Sequence, residues 1–204
     1  MFSPLIDKVR ARTEGWQLGT LSFAGRAELT RCVLHNLISY WVYAFKLPGT
    51  VIKESERLLS NFIWNNKMHC WNRKEICRPK SEGGVGTRRL VDLNQASGVR
   101  LVWRLCSSKS LWSNWMSGHY LQGAHISQVT VHSLDSGTGK WLCSMKSLAL
   151  SQMIIKIGNG KETSLFYDNW LHGNEGTLAG QFSDIQIPSY IQHWKLSDIS
   201  NNGI

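Results

Sequence analysis

The sequence predicts a mainly α protein: a helical hairpin, further helices, and a small C-terminal β-hairpin. Three observations predict it. Apolar stripes of helical period cover residues 23–63 and are split by Pro48, a third stripe begins at Leu90, and two short strand-like runs flank Gly158-Asn159-Gly160-Lys161. With 204 residues and 42% hydrophobic content, the chain can build one good core or two small ones, and it is too apolar to be disordered.

Residues 23–47 read as a helix with Leu29, Val33, Leu37, Tyr40, Trp41 and Ala44 on one stripe, widened by Leu34, Ile38 and Phe45. Such a helix is buried on more than one side. Pro48 ends it, because the residue before a proline is pushed out of the helical region, and the same proline suits the start of the next helix. That second helix places Val51, Ile52, Ser55, Leu58, Leu59, Phe62 and Ile63 opposite Lys53, Glu54, Glu56 and Arg57. The two form an antiparallel hairpin in which Trp41 and Phe62 are expected to be largely buried.

Residues 65–89 are polar, basic and rich in turn formers, a connector with one short helix near residues 72–77 and with Gly83, Gly84 and Gly86 free to adopt angles closed to other residues. A third helix, from Leu90 to about Ser107, carries Leu93, Ala96, Val99, Trp103 and Cys106, with Gly98 weakening its middle. A fourth, shorter one holds Leu111, Trp112, Trp115 and Tyr120. Residues 121–137 read as loop and 139–150 as a short helix. Residues 153–157 and 163–167 then make the hairpin strands, because Gly and Asn tolerate the positive φ of tight β-turns.

Charge is unevenly placed. Residues 1–110 hold 18 Lys and Arg against 8 Asp and Glu, a net +10, while residues 111–204 hold 5 against 6. Clustered positive charge attracts polyanions and gains free energy from counterion release on phosphate neutralisation. DNA, RNA or an RNA–DNA hybrid is favoured over an acidic membrane, because the basic residues are interleaved with Trp rather than gathered into a lysine run. Five scattered cysteines and no Asn-x-Ser/Thr site point to a reducing interior. The first ten residues contain no apolar stretch of signal-peptide length, and no run is long enough to span a bilayer.

Polymerase chemistry needs convergent carboxylates that hold two metal ions. Phe166-Tyr167-Asp168-Asn169 offers one carboxylate without an adjacent second, so Asp168 is expected to accept hydrogen bonds near a turn rather than to catalyse. His69, Cys70 and Cys77 lack a second Cys-x-x-Cys or His-x-x-x-His pair, so no zinc site is assigned and no cofactor is expected. Gly83-Gly84-Val85-Gly86 before Arg88 and Arg89 reads equally as a structural turn or as an anion nest with arginine donors, and it lacks the Gly-Lys-Ser/Thr ending of a nucleotide loop. Arg100 and Arg104, four apart, share a helix face that can track a phosphate backbone or simply face solvent. Most of the ten tryptophans are expected in the core, Trp41, Trp64 and Trp103 among them, since these coincide with apolar stripes.

Trp16, Leu21-Ser22-Phe23-Ala24-Gly25-Arg26, Tyr40-Trp41, Leu47-Pro48 and Phe62-Ile63-Trp64 occur in an order that resembles plant LINE-type (non-LTR) retroelement reverse transcriptases after their palm. The similarity continues through Trp71, Cys77-Arg78-Pro79-Lys80, Glu82-Gly83-Gly84-Val85-Gly86, Asn94, Trp103-Arg104 and Ser110-Leu111-Trp112 with Trp115, and ends in Gly158-Asn159-Gly160-Lys161 and Tyr167-Asp168-Asn169-Trp170. The resemblance implies a thumb-like helical segment at residues 1–66 that clasps a template–primer duplex. It implies a basic connector with helices at 67–120 and a loop-rich tail at 121–204, with the catalytic carboxylates upstream of Met1 and zinc-knuckle-like cysteines downstream of Ile204. Gly137-Thr138-Gly139 stand where the family usually has a Ser-Trp pair, and Val85 replaces a usual Leu.

The expected function is sequence-independent grip on a nucleic-acid backbone through Arg88, Arg89, Arg100 and Arg104, without catalysis. Two other readings stay open. One is a protein-interaction module that meets a palm domain or another partner through residues 23–63, and the other is a non-functional retroelement remnant.

Overall fold

Structure is described here for residues 2–17, 21–65, 73–107, 109–130, 136–171, 176–181 and 186–201 of a computed structural model. The chain divides into two units, Met1–Ser97 and Gly98–Ile204.

In the first unit Ser22 caps a helix, its Oγ accepting from the Gly25 amide at 3.2 Å. This helix, α2 (Phe23–Leu29), runs through one π turn, Thr30–Leu34, into α3 (His35–Ala44). Thr30 is fully buried, and its hydroxyl donates back to the Arg26 carbonyl at 2.9 Å, the type of side-chain competition that loosens a helical ladder locally. The expected helix is thus present but ends at Ala44, because Phe45 is extended and Asn94 Nδ2 donates to the Val42 and Phe45 carbonyls. Pro48 then precedes α4 (Gly49–Trp64), which stops at Asn65 in the left-handed region.

The sequence reading omitted α1 (Ser3–Gln17), which makes the hairpin a three-helix arrangement. Leu5, Val9 and Thr13 recur every four residues and are all buried, so its apolar face packs on α4 and α3. Leu34, Ile38, Val42, Leu59 and Phe62 complete this core. Phe62 is 0% exposed, as expected, with the Trp16 ring 5.8 Å away. Trp41 is only half-buried, at the rim between Phe2 and Phe45. Arg26 closes the far end by donating to the Ile63 carbonyl at 3.0 Å and to the Leu21 carbonyl at 2.6 Å, so this arginine is structural.

Helix α5 (Arg73–Ile76) and the glycine turn lead to α6 (Leu90–Ser107), whose Leu90 and Leu93 join the first core. In the second unit Val102 and Leu105 of α6 pack with Met116 of α7 (Leu111–Met116), Ile126, and Leu142 and Ala149 of α8 (Gly137–Gln152). Gly98 is required there: a Cβ would lie 2.6 Å from Met145 Cγ and 2.7 Å from Trp141 Nε1. Trp103 is 56% exposed, against the expectation of a core position, because the apolar positions that this part of α6 buries are Val102 and Leu105. Two further short helices follow, α9 (Leu178–Gln181) and α10 (Leu196–Asn201).

The expected β-hairpin does not form; the described residues contain no strand, only an isolated antiparallel bridge between Ser164 and Lys195. The cause is local. Asp168 Oδ2 accepts the Ser164 amide at 2.7 Å, and residues 163 and 165 pair with 196 and 194, so this segment has no ladder to offer residues 153–157. That run bonds Asn169 instead, the Ile155 amide donating to the Asn169 carbonyl at 3.1 Å and the Met153 carbonyl accepting from Asn169 Nδ2 at 3.5 Å, and Ile154 stays exposed. None of the helices is long and apolar enough to cross a membrane among the described residues.

Candidate nucleic-acid interface

The glycine turn decides how the arginines are presented. Gly83 and Gly86 adopt φ of +82° and +76°, conformations open to glycine. All four amides of Gly83-Gly84-Val85-Gly86 are occupied by backbone carbonyls, those of Lys80, Pro79, Ile76 and Arg78. The turn is therefore structural and offers no anion nest. A Cβ on Gly84 would sit 2.0 Å from the Arg78 carbonyl oxygen, so the missing side chain is what lets the loop fold back on residue 78.

The stretch after the turn is pinned from both sides. Thr87 is buried, with Oγ1 3.6 Å from Cys77 Sγ. His35 Nε2 donates to the Arg88 carbonyl at 2.6 Å, and Glu56 Oε1 accepts the Leu90 amide at 3.2 Å. With the backbone held by α3 and α4, the Arg88 and Arg89 side chains line a cleft of about 400 Å³ together with Arg78, Cys77 and Asp92.

Arg78 and Arg88 are exposed, and among the described residues no carboxylate pairs with either. Arg89 sits 3.6 Å from Asp92 one turn along, an exposed pair of small energetic weight. Arg10, Arg31, Arg57 and Lys80 of this unit each have a carboxylate partner. Glu28 bonds Arg31, the largest cause holding its carboxyl near about 2, and also lies 3.9 Å from Lys80. Glu54 holds Arg57 at 2.8 Å, with Arg10 at 3.8 Å. The cleft thus brings Arg78 and Arg88, which have no ion-pair partner among the described residues, together with the weakly paired Arg89. Sequence reasoning quoted Arg78 only within a motif, and His35 and Glu56 carried no signal at all.

In the second unit Arg100 and Arg104 are exposed on α6, and the Arg104 guanidinium lies 5.9 Å from the Trp112 ring centroid. Ser97, in the first unit, is buried and donates to the Tyr43 carbonyl at 3.4 Å, so it is a packing residue; Ser108 lies outside the described residues.

Asp168 is held by hydrogen bonds. Asp168 accepts the Ser164 amide as above and His125 Nε2 at 3.0 Å, matching its expected role as an acceptor. His125 Nδ1 takes the Ser127 amide and hydroxyl as the cap of a single 3-10 turn, a partnership invisible in sequence. His69 and Cys70 lie outside the described residues, among which no three His, Cys, Asp or Glu side chains converge.

No family model matches the chain. It is 28% identical over 185 residues to an Arabidopsis thaliana protein named "Putative ribonuclease H protein", a match that covers 84% of this chain. The chain spans 29% of the length of that curated relative. It is therefore a distant relative of part of a plant protein named for ribonuclease H.

Proposed function

We propose that the chain is the thumb and connector region of a LINE-type reverse transcriptase lineage, and that it grips the phosphates of a nucleic-acid duplex without reading sequence and without catalysing. The carrying observation is the cleft in which Arg78, Arg88 and Arg89 converge on a backbone pinned by His35 and Glu56, with Asp92 as the lone carboxylate of its lining. Guanidinium groups donate bidentately to phosphate, and contacts of that kind fix position but carry no base information. The relative named for ribonuclease H supports a protein that works on nucleic acid. Arg100 and Arg104 add contacts from the second unit.

The test is hybrid binding at low salt. Replacing Arg78, Arg88 and Arg89 together by Gln is expected to flatten the dependence of log K on log salt by about 2.7 units, about 0.9 per phosphate lost. An unchanged slope would remove the cleft from the interface. The same preparation is expected to incorporate no nucleotide on a primed template, and incorporation abolished by Asp168→Asn would overturn the non-catalytic reading.

The turn itself gives a second test. Gly84→Ala forces the Arg78 carbonyl aside and is expected to cost about 1–3 kcal/mol, as overpacked sites do. Hybrid affinity should fall with it, because Arg78 is displaced. Urea unfolding with wild-type stability would mean that the loop yields without cost.

The exposed Tyr40 and Tyr43 of α3, 73% and 46% accessible, favour a second reading, a protein surface such as a palm domain. Salt-insensitive binding to a protein partner would mark that reading.

A further inference from the structure

The second unit contains a groove of about 870 Å³ whose wall includes Trp103, Lys156, Lys161, His193 and Lys195. We infer that this groove holds single-stranded nucleic acid, a role separate from the duplex grip proposed for the first unit and not dependent on it.

Charge comes first. Lys156 and Lys161 are exposed, and none of the three lysines has an ion-pair partner within 4 Å among the described residues. The two carboxylates of the lining are already engaged. Glu162 is held by Lys109 at 2.8 Å, and Lys195 acts on it only at longer range. Asp168 is bonded to His125 and to the Ser164 amide, with 12% of its side chain exposed. The lining of the groove therefore carries three lysines that no carboxylate among the described residues holds in an ion pair.

The second observation is the indole. Trp103 is 56% exposed and lines the same groove, and Ile154, also in its lining, is 86% exposed. A duplex hides its base faces inside the stack, so an exposed ring among cations has nothing to meet there. A single strand offers phosphates and free base faces together, the pairing that lysine plus tryptophan recognises. An acidic peptide would use the lysines but leave the indole without a flat partner.

The experiment uses the full chain and two labelled probes followed by anisotropy, an oligothymidine of about 12 nucleotides and an RNA–DNA hybrid. Replacing Lys156, Lys161 and Lys195 by Gln is expected to flatten the single-strand salt slope by about 2 units, at about 0.7 per phosphate. Trp103→Ala should weaken the single strand about tenfold, with Trp103→Phe restoring most of it because a flat ring remains. Both changes should leave hybrid affinity in place, whereas the Arg78, Arg88 and Arg89 variant reports on the first unit alone. No single-strand binding at low salt, an unchanged slope in the lysine variant, or equal losses on both probes would overturn the inference. Thermal melts of each variant exclude misfolding as the cause.

Discussion

Phe62→Ala is expected to lower the unfolding free energy by about 3–5 kcal/mol, the cost of removing a large ring from a site that cannot collapse. Phe62 is 0% exposed at the centre of the first core, between Leu59 of its own helix, Trp16 of α1 and the α3 stripe. Whole domains are stable by only about 5–15 kcal/mol, so this single truncation removes a large share of that margin. With a urea dependence of about 2 kcal/mol per molar, the midpoint should fall by about 2 M. A loss below about 1 kcal/mol would mean that the core around α1 and α4 is not packed as described. Trp41→Ala should cost less, because that ring lies half-buried at the rim and keeps water on one side.

The helices were legible because burial on one face imposes a 3.6-residue period. The stripes read at 23–47, 51–63 and 90–107 are helical in the structure over 23–44, 49–64 and 90–107, with Pro48 at the expected break. Helix α1 carries the same period in Leu5, Val9 and Thr13, a stripe too short and too polar at its third position to stand out in the sequence. What stayed hidden depends on partners distant in sequence. His35 reaches Arg88 across 53 residues and Glu56 reaches Leu90 across 34, and neither link leaves a local pattern. The glycine turn shows the same limit: whether its amides face an anion or a carbonyl is set by where residues 76–80 pass. The hairpin failed for a related reason. A strand-like run at 153–157 and a Gly-Asn-Gly turn are sufficient locally, yet the Asp168 carboxylate and residues 194–196 take up the 163–165 segment. Of the four arginines expected to meet phosphate, Arg88 and Arg89 line the cleft, together with Arg78, and Arg100 and Arg104 do not.

Binding of an RNA–DNA hybrid is expected to weaken about 500-fold between 50 and 200 mM salt if Arg78, Arg88, Arg89, Arg100 and Arg104 each neutralise one phosphate, because five contacts give a slope of about −4.5. The three arginines of the first unit alone would give about −2.7, or roughly 40-fold over the same range. The slope therefore counts the contacts, and it separates a cleft acting alone from one assisted by the α6 arginines. Duplexes of unrelated sequence should give the same slope and nearly the same affinity, since guanidinium–phosphate contacts carry no base information. Replacing Arg100 and Arg104 by Gln should move the slope from about −4.5 to about −2.7. That substitution touches no buried group, for both side chains are exposed, and the cost to folding is confined to the Arg104 contact with Trp112. A salt-independent affinity would point instead to apolar association through Tyr40 and Tyr43, and a strong preference for one sequence would require base-edge contacts that the arginine cleft does not supply.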